Sequence, residues 1–136
     1  MNVFVDSSGF KAWLDERDEF HIEAEKIIEE LLENKVELVT SNYIVDECST
    51  MLRVKCGLKK AMLFREYILN SKQMIKIYRV SVSDEKKAWE WFKKDWSGLS
   101  FTDSVTFSQM KRLGIKGVFG FDQHFERAGF RLEKKR

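Results

Sequence analysis

Short runs of β-branched and aromatic residues recur along this chain between longer stretches of helical periodicity, and that alternation restricts it to few folds. Val3-Phe4-Val5 opens the series, and Val36-Glu37-Leu38-Val39-Thr40, Ile75-Lys76-Ile77-Tyr78-Arg79-Val80 and Val118-Phe119-Gly120-Phe121 continue it. Strands separated by helices predict an α/β fold with a mostly parallel sheet. The first and last of these runs both stop on an aspartate, Asp6 and Asp122. Ligands of open parallel sheets bind outside the carboxyl ends of the strands, so two such aspartates can share one mouth although the whole chain separates them.

The intervening stretches read as helices. Phe10, Trp13 and Leu14 mark a short one, and Ile22, Ile27, Ile28, Leu31 and Leu32 line a longer one ending near Asn34. Further helices are expected over 42–54 and through Met62, Phe64, Tyr67 and Leu69. Ser83 can cap the next helix, with Ala88, Trp89 and Phe92 at core spacing. The last third reads as a helix over 101–113, a strand over 117–121, a short helix over 123–128 and a small strand near 130–132.

With 136 residues, 43% of them hydrophobic, the chain suits one compact domain spanning 1–136. Lys+Arg 24 against Asp+Glu 22 leaves a net charge of +2, so any surface for nucleic acid must be local. No apolar stretch approaches the roughly 20 residues that cross a bilayer, and the amino terminus lacks a signal-peptide pattern, so a cytoplasmic location is expected. Cys48 and Cys56 would stand about 12 Å apart along one helix, beyond disulfide reach, and are expected as reduced thiols.

Four acids stand out, each with an ordinary structural explanation beside a chemical one. Asp6, before Ser7-Ser8-Gly9, can cap the helix that follows, and Asp122 can cap the helix near Gln123. Glu47 falls at the edge of the stripe formed by Ile44, Cys48 and Met51, while Asp46 points nearly opposite; Glu47 should face inward and Asp46 water. A salt bridge would also satisfy Glu47. Ser100-Phe101-Thr102-Asp103 has capping-box spacing, yet Asp103 shares a face with Phe107 and Met110 on a helix apolar nearly all round, the mark of a central helix. Four carboxylates at one mouth would repel by about 3 kcal/mol per pair at 5 Å and an effective dielectric of 20. A cation resolves that conflict, and oxygen donors favour Mg2+ or Mn2+ over zinc. Such a cluster suits hydrolysis of phosphodiesters.

Val3-Phe4-Val5-Asp6-Ser7-Ser8, Thr40-Ser41-Asn42-Tyr43-Ile44-Val45-Asp46-Glu47, Leu99-Ser100-Phe101-Thr102-Asp103 and Val118-Phe119-Gly120-Phe121-Asp122-Gln123-His124-Phe125, with Ala128-Gly129-Phe130, together resemble the PIN-domain nucleases. The small single-domain form is similar to the VapC-type ribonuclease toxins of toxin–antitoxin pairs. Each motif is short, but their order and spacing cover essentially the whole chain. The resemblance implies a three-layer α/β/α fold around a parallel sheet of four or five strands. It also implies an acid site carried by Asp6, Glu47, Asp103 and Asp122, with Ser7 and Thr102 as supporting hydroxyls. Ser104 stands where the family often has alanine, a departure without chemical weight.

On that reading Mg2+ or Mn2+ is held by Asp6 and Asp103, completed by Glu47 and Asp122, and single-stranded or structured RNA is cut by water with no side-chain nucleophile. Lys11, Arg53, Lys55, Lys59, Lys60, Lys111, Arg112 and the tail Lys134-Lys135-Arg136 are candidates for phosphate contacts, against the alternative of solvated helix faces. His124 is set aside as a general acid, because a metal mechanism needs none. Trp91 and Trp96 are better candidates for an interface than Trp13 or Trp89. The family resemblance further implies a homodimer and a cognate antitoxin covering the site. Two other classes remain in view. A haloacid-dehalogenase-like phosphatase would need Asp-x-Asp after the first strand, and Ser8 occupies the second position. An RNA-processing subunit or non-catalytic interaction module of PIN shape would keep the fold without the chemistry.

Overall fold

The computed structural model describes residues 1–70 and 75–134, so Lys135 and Arg136 of the expected basic tail lie outside the described residues. Five strands, β1 (Asn2–Val5), β2 (Glu37–Ser41), β3 (Ile75–Tyr78), β4 (Gly117–Phe119) and β5 (Arg131–Leu132), form one sheet in the order β3-β2-β1-β4-β5. Every pairing is parallel, with Phe4 of the central strand opposite Val39 on one side and Val118 on the other. Val3, Phe4, Val5, Leu38, Val39, Val118 and Phe119 are all fully buried, which is why these runs are apolar without alternation.

The helices are α1 (Ser7–Leu14), α2 (His21–Glu33), α3 (Asn42–Cys56), α4 (Leu58–Asn70), α5 (Val82–Phe92), α6 (Phe101–Leu113) and α7 (His124–Arg127). α1 packs on α2, α3 and α4, and α3 on α4, while α5 packs on α6. Right-handed crossovers put α1–α4, which carry the chain from β1 through β2 to β3, on one face and α5–α6, which lead back to β4, on the other. The result is the expected three-layer α/β/α arrangement. Residues 103–110 of α6 are buried without interruption, so the central-helix expectation holds. Among the described residues no helix is long and apolar enough to cross a membrane. Both cysteines sit on α3 as free thiols, Cys48 buried and Cys56 partly so.

Three local expectations are corrected. Ser81, not Ser83, caps α5: its extended backbone (φ −89°, ψ 163°) lets Oγ accept from Asp84 N at 3.1 Å, and the Asp84 carboxylate accepts from Ser81 N at 2.9 Å. Trp89 and Phe92 face solvent, 58% and 40% exposed, and it is Trp91 that packs on the core. The reason is Asp84, 1% exposed, whose two oxygens accept from Arg112 Nε at 2.8 Å and Nη2 at 2.9 Å. That pair, with Ala88 one turn on, turns the 84–88–91 face toward α6, and Trp91 stacks edge-on against Phe107 with ring centroids 5.2 Å apart. Last, β4 ends at Phe119 rather than Phe121, because the Phe121 amide is donated to the Ser8 hydroxyl at 2.9 Å instead of to a strand.

The start of α1 lies against the end of β4 with no space for a side chain: a Cβ at Gly9 would sit 2.4 Å from the Phe119 carbonyl oxygen. Gly9→Ala is therefore expected to cost about 2–3 kcal/mol, the upper range for overpacking, read as a lowered urea midpoint at unchanged slope.

Candidate functional site

The chain leaves β1 on one face through α1–α2 and returns to β4 from the other through α5–α6, so the order reverses between these two neighbouring strands. A crevice opens at such a switch point, outside the carboxyl ends. Asp6 follows β1 directly. Its extended backbone makes it the N-cap of α1, its Oδ2 accepting from Ser8 N at 3.4 Å and from Ser8 Oγ at 2.8 Å. The same Ser8 oxygen accepts from Phe121 N, which draws the segment after β4 over the start of α1. Gly120 permits this passage, since a Cβ there would lie 3.0 Å from Ser8 Oγ and 3.1 Å from the Asp6 Cβ.

Glu47 reaches the crevice from the second turn of α3. It is half-buried, as its helical phase required, and Ser7 Oγ donates to its Oε1 at 2.6 Å; Asp46 is exposed. Asp103 is the third residue of α6, buried, and completes the capping box with Ser100: Asp103 N donates to Ser100 Oγ at 3.0 Å and Ser100 N to Asp103 Oδ2 at 3.3 Å. Asp122 stands beyond β4, its Oδ1 accepting from His124 N at 2.9 Å. Helix capping and a shared mouth are thus not competing explanations here. Asp6 and Asp103 start helices and face the same crevice.

Electrostatics tie the four acids together. Burial, then the charge of Asp103 and that of Glu47, raise the Asp6 pKa to about 7 against the opposing bonds from Ser8. Burial, then the charges of Asp122 and Glu47, raise Asp103 to about 6 despite its bonds to Ser100. Burial, then the charges of Asp6 and Glu47, hold the neighbouring Cys48 thiol far above its ordinary range, which disfavours the reactive thiolate.

Two residues join the site beyond those expected. Ser8, which the sequence offered only as part of a Ser-Ser-Gly turn, fixes Asp6 and the post-β4 segment together. His124, set aside as a general acid, has Nδ1 3.0 Å from Asp122 Oδ1 and 3.9 Å from Asp103 Oδ2, so the spacing Asp122-x-His124 was its only sequence signal. Thr102 adjoins Asp103 on the first turn of α6, with its carbonyl accepting from Thr106 Oγ1. Of the basic candidates, Lys11 pairs with Asp18 and Asp15, Lys60 with Glu16 and Arg112 with Asp84, whereas Arg53, Lys55 and Lys59 are exposed. Trp96 stacks near His124 and carries the Arg127 guanidinium over its ring at 4.4 Å. Hollows of about 460 and 620 Å3 lie around Ile115 and Lys116 at the opposite edge of the sheet, away from the acids.

The donor set fits a hard divalent cation. Asp6 Oδ1 is buried without a hydrogen-bond partner, and oxygens of Asp103 and Asp122 with a ring nitrogen of His124 lie within 4.8 Å of one another. A buried, unpaired carboxylate oxygen beside like charges is costly until a cation is present.

Comparison with known proteins agrees with this geometry. The PIN domain description matches residues 3–131. The 23S rRNA-specific endonuclease VapC20 of Mycobacterium tuberculosis is 32% identical over 130 residues, 94% of this chain and 95% of that protein. Its crystal structure, described as that of a sarcin–ricin-loop-cleaving toxin, superposes with a TM-score of 0.81 at 31% identity, covering 94% of this chain and 95% of the other. FitAcB from Neisseria gonorrhoeae shares the fold, with a TM-score of 0.67 at 13% identity over 99% of this chain and 98% of that one. With its acids at the β1–β4 switch point and the match running from the first strand to the last, the chain belongs to the PIN-domain family.

Proposed function

We propose that this protein is a metal-dependent endoribonuclease that hydrolyses phosphodiester bonds in RNA, and that it acts in the cytoplasm as the toxin of a toxin–antitoxin pair. The observation that carries the reading is the convergence of Asp6, Glu47, Asp103 and Asp122 on one crevice, with the Asp6 pKa raised by burial and by the charges of Asp103 and Glu47, and that of Asp103 by burial and by the charges of Asp122 and Glu47. The similarity to VapC20, named for 23S rRNA, supports RNA as the substrate and makes a structured ribosomal loop the first one to offer.

Asp6 and Asp103 hold the cation in this reading, with Glu47 and Asp122 completing its surroundings. Mg2+ or Mn2+, when bound, supplies Lewis acidity toward the scissile phosphate and the attacking water. The protein's part is placement. Ser7 holds the Glu47 carboxylate, Ser8 holds Asp6, and the Ser100 box fixes Asp103, so none needs to reorganise when charge develops on the phosphate. Ser7 and Ser8 are committed as donors to carboxylates and the Cys48 thiol is kept protonated, so none of these three is poised as a nucleophile. Exposed Arg53, Lys55 and Lys59, along α3 beyond Glu47 and into α4, supply positive charge for the flanking backbone. Exposed Met62, Leu63, Trp89 and Phe92 give a second copy or an antitoxin a surface to cover.

Labelled 23S rRNA fragments incubated with Mg2+, Mn2+ or chelator test the reading. Cleavage should need the cation and fall by about a hundredfold or more in Asp6→Asn or Asp103→Asn, in line with the several kcal/mol a metal supplies. Chelator-insensitive cleavage, or none by folded protein, would move the chain to a non-catalytic role.

A pH dependence follows from the raised acids. Without cation, folded Asp6 and Asp103 keep protons that the unfolded chain has released above about pH 4. Stability should therefore fall as pH rises from about 4 through about 7, seen as a declining melting temperature. Asp6→Asn should flatten that decline, and Mn2+ at a hundred times its dissociation constant should add about 2.7 kcal/mol at pH 7.5.

A further inference from the structure

His124 is held more firmly than a passing neighbour of two carboxylates. Its Nε2 lies 2.8 Å from the Ser97 carbonyl oxygen, which only accepts, so Nε2 carries the proton. The ring also lies nearly parallel to Trp96, with an interplanar angle of 11° and centroids 6.4 Å apart, and Trp96 is itself covered by Arg127. With Nε2 protonated, the neutral ring presents a lone pair at Nδ1. That atom is buried and has no hydrogen-bond partner, although Asp122 Oδ1 is 3.0 Å away and Asp103 Oδ2 3.9 Å. The neighbouring oxygen lies off the direction in which a proton on Nδ1 would point.

A lone pair crowded by two carboxylates is unfavourable, and a protonated ring would leave its Nδ1 proton poorly aimed. One occupant satisfies all three groups. Histidines that ligate metals through one ring nitrogen characteristically donate the other N–H to a backbone carbonyl or carboxylate, which fixes tautomer and ring orientation; Ser97 plays that part here. Two donors at right angles around a cation, each about 2.1 Å from it, stand about 3.0 Å apart, the spacing found between Nδ1 and Asp122 Oδ1.

We propose that Nδ1 of His124 is a metal ligand, closing with Asp103 and Asp122 a mixed nitrogen–oxygen site that takes Mn2+ in preference to Mg2+. The inference rests on the reading of the crevice as a divalent-cation site and sharpens it: an imidazole donor favours a transition ion, whereas an all-carboxylate set would leave the two cations nearly equivalent.

The chain has two histidines, His21 and His124, so an imidazole signal can be assigned by substitution. Tag-free, metal-free protein is loaded with Mn2+ and read by pulsed electron paramagnetic resonance for directly coordinated nitrogen-14, and Mn2+ and Mg2+ affinities are measured by titration calorimetry. Native protein and His21→Gln should show the nitrogen coupling and His124→Gln should lose it. In His124→Gln, Mn2+ binding should weaken by about tenfold or more while Mg2+ binding changes much less. Absence of nitrogen coupling in the native protein overturns the proposal without reference to any variant, as does equal weakening of both cations, the result expected if His124 merely pairs with the acids. RNA cleavage without nitrogen coupling would sink this assignment and leave the ribonuclease reading standing. Nitrogen coupling in a protein that leaves RNA intact would do the reverse.

Discussion

One hydroxyl with two partners organises the crevice. Ser8 Oγ donates to Asp6 and accepts from the Phe121 amide, joining positions 113 residues apart in sequence. That joint ends β4 early, lays the following segment across the start of α1, and brings Asp122 and His124 to the side where Asp6 already stands. It works because little intrudes: at Gly9 a Cβ would collide with the Phe119 carbonyl, and at Gly120 it would press tightly on Ser8 Oγ and the Asp6 Cβ. The acids therefore depend for their proximity on a hydroxyl that is not itself one of them.

Much of this architecture was legible before any coordinates. Strands buried on both faces read as unbroken apolar runs, and a helix buried on every side reads as apolar all round, so the sheet and α6 were visible in composition alone. Glu47 was legible because helical phase separates it from Asp46 by a measurable angle. Trp89 was misjudged for the opposite reason. Neighbouring residues on a helix differ by only one step of rotation, and the buried Asp84–Arg112 pair, a partnership across 28 residues, decided which step faced inward. Ser8 and the setting of His124 were illegible for the same reason, since Phe121 and Ser97 lie far from them in the chain.

The crevice holds its charges in an unrelaxed state. Burial disfavours ionisation at both Asp6 and Asp103, and neighbouring carboxylates add to it, Asp103 and Glu47 at Asp6, Asp122 and Glu47 at Asp103. Elsewhere the chain resolves a buried acid by pairing it: burial pushes against the Asp84 carboxylate too, but the Arg112 fork and the Ser81 bonds outweigh it and leave the pKa lowered. The contrast within one molecule separates an acid placed for support from acids left with something still to bind.

Asp6 caps α1 and Asp103 closes the capping box of α6, and that double duty has an evolutionary side. An amide caps a helix nearly as well as a carboxylate but carries no charge. Exchange of one oxygen for an NH2 group at Asp6 would remove a charge from the crevice while leaving the start of α1 in place, so on the proposed reading a lineage of this fold could lose its chemistry in a single step and keep its shape for binding.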